Sequence, residues 1–104
     1  MVTVPSQGEI WWAEASDKHR PVLVITRSEA IPVLDWILVA PVTRTIRGIP
    51  TEIAVGLEEG LPVSSVANFD SLQPVRKAFL TTRVGAVDLG SRRICEALEA
   101  LADC

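Results

Sequence analysis

One histidine and two cysteines are all the soft metal ligands this chain has. Cys95 and Cys104 fall near the C-terminus with no further cysteine or histidine at ligand spacing, so neither a structural nor a catalytic metal is expected. On one helix they would lie about 13 Å apart along its axis, too far to bridge, and free thiols are expected. A Ser-His-Asp or Cys-His hydrolase would depend on His19 alone, and no nucleophile-elbow motif is present. Glycine-rich phosphate loops are missing too, and no cofactor is expected. The longest apolar run, residues 36–42, contains Pro41 and is too short to cross a bilayer. Residues 1–7 lack the charged and apolar regions of a secretory signal, which makes the cytoplasm the expected compartment. A formal charge of -3 excludes a protein that coats nucleic acid non-specifically, because that affinity comes from neutralising many phosphates.

What is present points to one domain, residues 1–104, long enough to bury roughly 60–70% of its unfolded surface. An apolar share of 48% and a mean hydropathy of +0.30 are high for so small a chain, so some apolar surface is expected to face a second subunit. The basic residues are clustered: Lys18, His19 and Arg20, then Arg44 and Arg47, then Arg76, Lys77 and Arg83. The acids are spread elsewhere, which permits a local basic groove on an acidic body.

The stretch Lys18-His19-Arg20-Pro21-Val22-Leu23-Val24-Ile25-Thr26 runs from a basic tripeptide into a mostly β-branched, apolar strand. Pro21 fits there only at a strand start or on an edge. Before it, residues 8–14 read as a first strand, with Gly8 as its entry and Trp11 and Trp12 on opposite faces. Residues 15–19 read as a short polar turn, and residues 27–35 as a loop or short helical turn. Trp36 to Thr43 is nearly all apolar, the pattern of a strand covered on both sides. Residues 44–50 form a basic loop with Gly48 and Pro50, and residues 51–55 alternate as a half-buried strand. After a loop at residues 57–64, short strands are expected at residues 65–70, 72–75 and 79–87. Ile94, Ala97, Leu98, Leu101 and Ala102 then recur at helical spacing, with Asp88 or Ser91 as candidate N-cap. The fold expected is mainly β: a small partial barrel of six or seven short antiparallel strands with a terminal α-helix.

Arg20, Thr43, Asn68 and Asp70 stand at strand ends, which converge on one rim of a small barrel. Such a set suits a phosphodiester, cleaved without metal by a neighbouring ribose 2′-hydroxyl. That reaction needs a base, donors for the charge developing on phosphorus, and an acid for the leaving 5′-oxygen. From the residues alone, Arg20 reads equally as a surface arginine before a core strand, and Thr43 as a hydroxyl capping the turn that follows it. Asp70 reads as a base, as an orienter of Arg20, or as an ordinary turn carboxylate. His19 reads as a proton-exchanging group or a solvated loop histidine.

Gly8-Glu9-Ile10-Trp11, Arg20-Pro21-Val22-Leu23-Val24-Ile25, Ala40-Pro41-Val42-Thr43, residues 66–70 and the closing helix together resemble the MazF/PemK (Kid-like) toxins of type II toxin–antitoxin systems. The likeness extends from Gly8 to Leu101; each motif is weak alone, but their order and spacing are fairly specific. It implies an SH3-like barrel of the CcdB-PemK kind and a homodimer. It also implies a metal-independent endoribonuclease acting on single-stranded RNA, leaving a 2′,3′-cyclic phosphate and a 5′-hydroxyl. A cognate antitoxin, whose tail occupies the RNA groove, is the expected protein partner.

The family's arginine before proline corresponds to Arg20 and its strand-end threonine to Thr43, while the Kid-like Arg and Asp pair reads Asn68 and Asp70. Arg20, Thr43 and Asp70 are therefore the expected catalytic set. Lys18, His19, Arg44, Arg47, Asn68, Arg76 and Lys77 are expected to contact RNA, with Phe69 or Trp12 either stacking on a base or packing inside. Asn68 lacks the charge of the Kid-like arginine, the loop before Arg20 is short, and Ser71 replaces a common glutamine. The alternatives are a CcdB-like toxin that binds DNA gyrase, disfavoured because no aromatic stands near the C-terminus, and an inactive barrel that binds RNA or peptide.

Overall fold

The computed structural model describes residues 4–15 and 18–102. Seven strands form one curled antiparallel sheet: β1 Glu9–Ala15, β2 Lys18–Val24, β3 Trp36–Thr43, β4 Glu52–Val55, β5 Ser65–Asn68, β6 Gln73–Arg76 and β7 Leu80–Ala86. A single helix, α1 Gly90–Leu101, closes the chain. The sheet order is β4-β5-β3-β2-β1-β7, and β6 joins the same edge of β3 as β5.

The apolar run of β3 is explained by a core on each side. Even-numbered Ala40 and Val42 join Ile10, Leu23, Ile53 and Phe69 beneath Ile94 and Ala97 of α1. Odd-numbered Ile37 and Val39 join Trp11, Val22, Val24 and Leu80 beneath Ile31. The helix covers only half of the even face, so Trp36 and Leu38 stay exposed. That leaves apolar surface of the kind the composition calls for.

β5 and β6 are in effect one edge with an insertion. Thr43 and Val42 pair with Val66 and Ala67, whereas Val39 to Trp36 pair with Gln73 to Arg76. The register slips by the three residues of a 3₁₀ turn, Phe69–Ser71. The turn drives Phe69 into the core and carries Asp70 outward.

Neither expected N-cap serves α1. The position is held by Leu89 at φ 54° with no side-chain cap, and Ser91 Oγ instead donates to Gln7 Oε1 at 2.8 Å. The start of α1 lies against the entry of β1, where Gly8 at φ 87° meets Gly90; a Cβ on Gly90 would stand 3.1 Å from Gly8 Cα.

Glu9 ties β1 to its surroundings. Partial burial alone would push its carboxyl up, but it accepts from Arg83 Nε at 2.7 Å, Trp11 Nε1 at 3.1 Å and Ser6 N at 2.7 Å. With the Arg83 charge, these bonds hold it below the usual carboxylate range. A lowered folded-state value means the stabilisation is complete above the unfolded-state value and is lost as pH falls through the folded-state one. Unfolding measured from about pH 6 down to about pH 3 should therefore show a steeper acid-side loss in wild type than in Glu9→Gln. Parallel curves would exclude this role.

Candidate RNA-binding groove

The site follows from the register of two strand pairs. β1 and β2 pair Trp12 with Pro21, Ala13 with Arg20 and Glu14 with His19. β2 and β3 pair Val22 with Pro41, and the same register carried two residues outward sets Arg20 against Thr43 as the strands part. Water-accessible space opens there in two adjoining clefts. The larger, about 630 Å³, is walled by Trp12, His19, Arg20, Thr43, Arg44 and the loop residues Leu61 to Val63. The smaller, about 280 Å³, adds Pro41, Arg47, Asn68, Ser71 and Gln73. Arg20, Thr43 and Thr45 line both, so they form the ridge between them.

The electrostatics favour an anion. Among the described residues no carboxylate lines either cleft, while Arg20, Arg44 and Arg47 do. Thr43 Oγ1 accepts from the Thr45 backbone N–H at 3.2 Å, so it caps the turn after β3. Its own O–H remains free to donate, and capping and ligand binding are compatible. Glu52 fixes the following loop by accepting from the backbone N–H groups of Arg47 and Gly48, at 3.1 and 2.9 Å.

The expected site residues divide. Arg20, Thr43, His19, Arg44, Arg47 and Asn68 come together here. The Lys18 side chain lies outside the described residues, as do Asp17 and Cys104. Asp70 is exposed but lines neither cleft; its Oδ2 accepts from Thr51 Oγ1 at 2.8 Å. Asn68 Oδ1 accepts from the Asp70 backbone N–H at 2.9 Å, capping the turn Phe69–Ser71. Phe69 is 1% exposed, so it offers no stacking face. Arg76 and Lys77 are excluded from the groove, because β6 sets Arg76 opposite Trp36, whose ring lies 5.1 Å beneath the guanidinium. Lys77 Nζ donates to the Ile31 carbonyl at 2.9 Å. Trp12, by contrast, stands in the groove wall, stacked on His19 with centroids 4.3 Å apart.

Thr45, Ser65 and Gln73 also line the clefts, and sequence reasoning passed over all three. Thr45 lies two residues beyond Thr43, a spacing that could have pointed to it. Gln73 is placed only by the inserted turn. Among the described residues, no group of three or more His, Cys, Asp or Glu is arranged to hold a metal ion.

Comparison with known proteins agrees with this geometry. Residues 6–104 match the family model described as PemK-like, MazF-like toxin of type II toxin–antitoxin system. The chain is 44% identical to a probable endoribonuclease, MazF5, of Mycobacterium tuberculosis, over 100% of this chain and 98% of that protein. The solved Mycobacterium tuberculosis toxin MazF-mt6 superposes with a TM-score of 0.79 at 35% identity, covering 88% of this chain and 92% of that one. A mycobacterial endoribonuclease solved with its cognate antitoxin shares the fold, with a TM-score of 0.78 at 23% identity over 93% and 94% of the two chains. From its barrel, its strand-end Arg20 and Thr43, and a match spanning residues 6–104, the chain belongs to the PemK-like, MazF-like toxins of type II toxin–antitoxin systems.

Proposed function

We propose that this toxin cuts single-stranded RNA in the groove joining Arg20 to Thr43, by attack of a ribose 2′-hydroxyl on the adjacent phosphodiester. The observation that carries the reading is the convergence of Arg20 and Thr43 at parting strand ends, on a ridge flanked by two carboxylate-free clefts. The guanidinium supplies fixed positive charge and directional donors for the extra charge on phosphorus. The Thr43 hydroxyl donates to a non-bridging oxygen, while its lone pair stays on Thr45 N. Arg44 and Arg47 hold flanking phosphates, and the amides of Asn68 and Gln73 face base edges in the smaller cleft. Asp70 contributes through the turn it shares with Asn68 and Thr51.

The relatives' names, MazF5 and MazF3 endoribonucleases, favour cleavage over gyrase binding. The toxin acts in the cytoplasm as a homodimer, held in check by an antitoxin whose acidic tail competes for the basic groove. A structural neighbour is an endoribonuclease in complex with its cognate antitoxin.

The test is incubation of antitoxin-free protein with a long single-stranded RNA in excess EDTA, with the cut sites and ends mapped. Discrete cuts bearing 5′-hydroxyl and cyclic phosphate ends are expected. Uncut RNA, or cutting that requires a divalent cation, would overturn the mechanism.

A further inference from the structure

The sequence reading places His19 in a turn, but it lies in β2 with its position fixed from two sides. β1 sets Glu14 directly opposite, with His19 Nδ1 3.5 Å from Glu14 Oε1. The imidazole lies flat on Trp12, 12° from parallel. Both rings line the groove that holds Arg20 and Thr43. With Nδ1 on Glu14, Nε2 is the nitrogen left for the groove.

The proposed reaction must hand a proton to the leaving 5′-oxygen, and the groove offers few sources. Arg20 and Arg44 keep their charge at any physiological pH, and the hydroxyls of Thr43, Thr45 and Ser65 stay neutral. Asp70 lines neither cleft. His19, the only histidine in the chain, is the one lining group of a type that ordinarily exchanges protons near neutral pH. The charged groups around it are Glu14 across the strand pair and Arg20 and Arg44 in the groove wall.

We propose that His19 is the general acid of this toxin, with Glu14 and Trp12 as positioning residues; this rests on the groove being the RNA-cleaving site. In the step, the 2′-oxygen forms its bond to phosphorus and gives its proton to solvent water. The bond from phosphorus to the 5′-oxygen breaks, and its electron pair leaves on the 5′-oxygen. That oxygen takes the proton from Nε2, and the imidazole is recharged from solvent. Charge and atoms balance, and no co-reactant is needed.

The experiment uses two RNA oligonucleotides carrying the mapped cut site, one natural and one with sulfur replacing the bridging 5′-oxygen. A thiolate leaves without help from an acid. His19→Gln, at an exposed position, should lose about 10²- to 10⁴-fold on natural RNA and return close to the wild-type rate on the sulfur substrate. Glu14→Gln should show a smaller loss, rescued in the same way, which a purely structural defect would not be. Equal losses of His19→Gln on both substrates, or no loss on natural RNA, would overturn the assignment. Arg20→Ala separates the two proposals: it should be slow on both substrates. If Arg20→Ala cuts like wild type, the groove reading itself falls, and His19 as its acid falls with it. If Arg20→Ala is slow while His19→Gln is unimpaired, only the acid is refuted.

Discussion

Arg20→Ala is expected to slow single-turnover cleavage of a mapped RNA site by on the order of 10³-fold or more, and Thr43→Val by about 10²- to 10³-fold. Arg20 is exposed and its backbone is paired with Ala13 whatever side chain it carries, so the variant should fold and dimerise normally. The loss then reports on the transition state alone. Arg20→Lys should recover only part of the rate, because an ammonium keeps the charge but not the planar fork that grips two phosphate oxygens. Thr43 carries two duties, and its variants separate them. Thr43→Val removes both the donated O–H and the acceptor that caps Thr45 N, so a stability loss of about 1 kcal/mol should accompany the rate loss. Thr43→Ser preserves both groups and should stay near wild type. Chemical-quench rates beside thermal melts check the set, and full activity in Arg20→Ala and Thr43→Val together would remove the catalytic assignment.

Much of the fold can be read from the sequence where one physical rule dominates. The apolar run of β3 and the helical spacing of Ile94, Ala97 and Leu98 each reflect burial, and the structure places those residues in the cores as expected. Arg20 and Thr43 are legible for a related reason, since both end strands whose apolar interiors fix them. Cross-strand register governs what is not legible. A run of Lys18, His19 and Arg20 looks like a wet turn, yet its backbone pairs with β1 and brings His19 onto Glu14. Arg76 and Lys77 look like phosphate contacts until β6 is seen to place Arg76 over Trp36. Phe69 follows a polar asparagine and looks accessible, but the inserted 3₁₀ turn reverses its direction. Inserted residues shift every later side chain, and their effect is set by the partner strand.

Gly85→Ala is expected to destabilise the fold by about 3 kcal/mol, at the upper end of overpacking costs, and to lower the melting temperature by roughly 10 °C or more. A Cβ on Gly85 would collide with the backbone carbonyl of Glu59, in the 3₁₀ turn Leu57–Glu59 that lies against β7. A flexible side chain would yield at small cost, but a backbone carbonyl moves only with its turn. That turn is held firmly: Glu59 Oε1 accepts from Gly56 N at 2.6 Å, and Leu61 N donates to the Gly56 carbonyl at 3.0 Å. Gly60, at φ 92°, completes it at equally close quarters, where a Cβ would stand 2.7 Å from the Val84 carbonyl oxygen. Pushing the turn off β7 also moves Leu61, Pro62 and Val63, the residues immediately downstream that form one wall of the larger cleft. Folded Gly85→Ala should therefore cut RNA with altered site preference while Arg20 and Thr43 stay in place. Melts at fixed protein concentration, read with cut-site mapping well below the transition, separate the two effects. A variant that melts with wild type would mean that the turn yields freely and does not brace the groove wall.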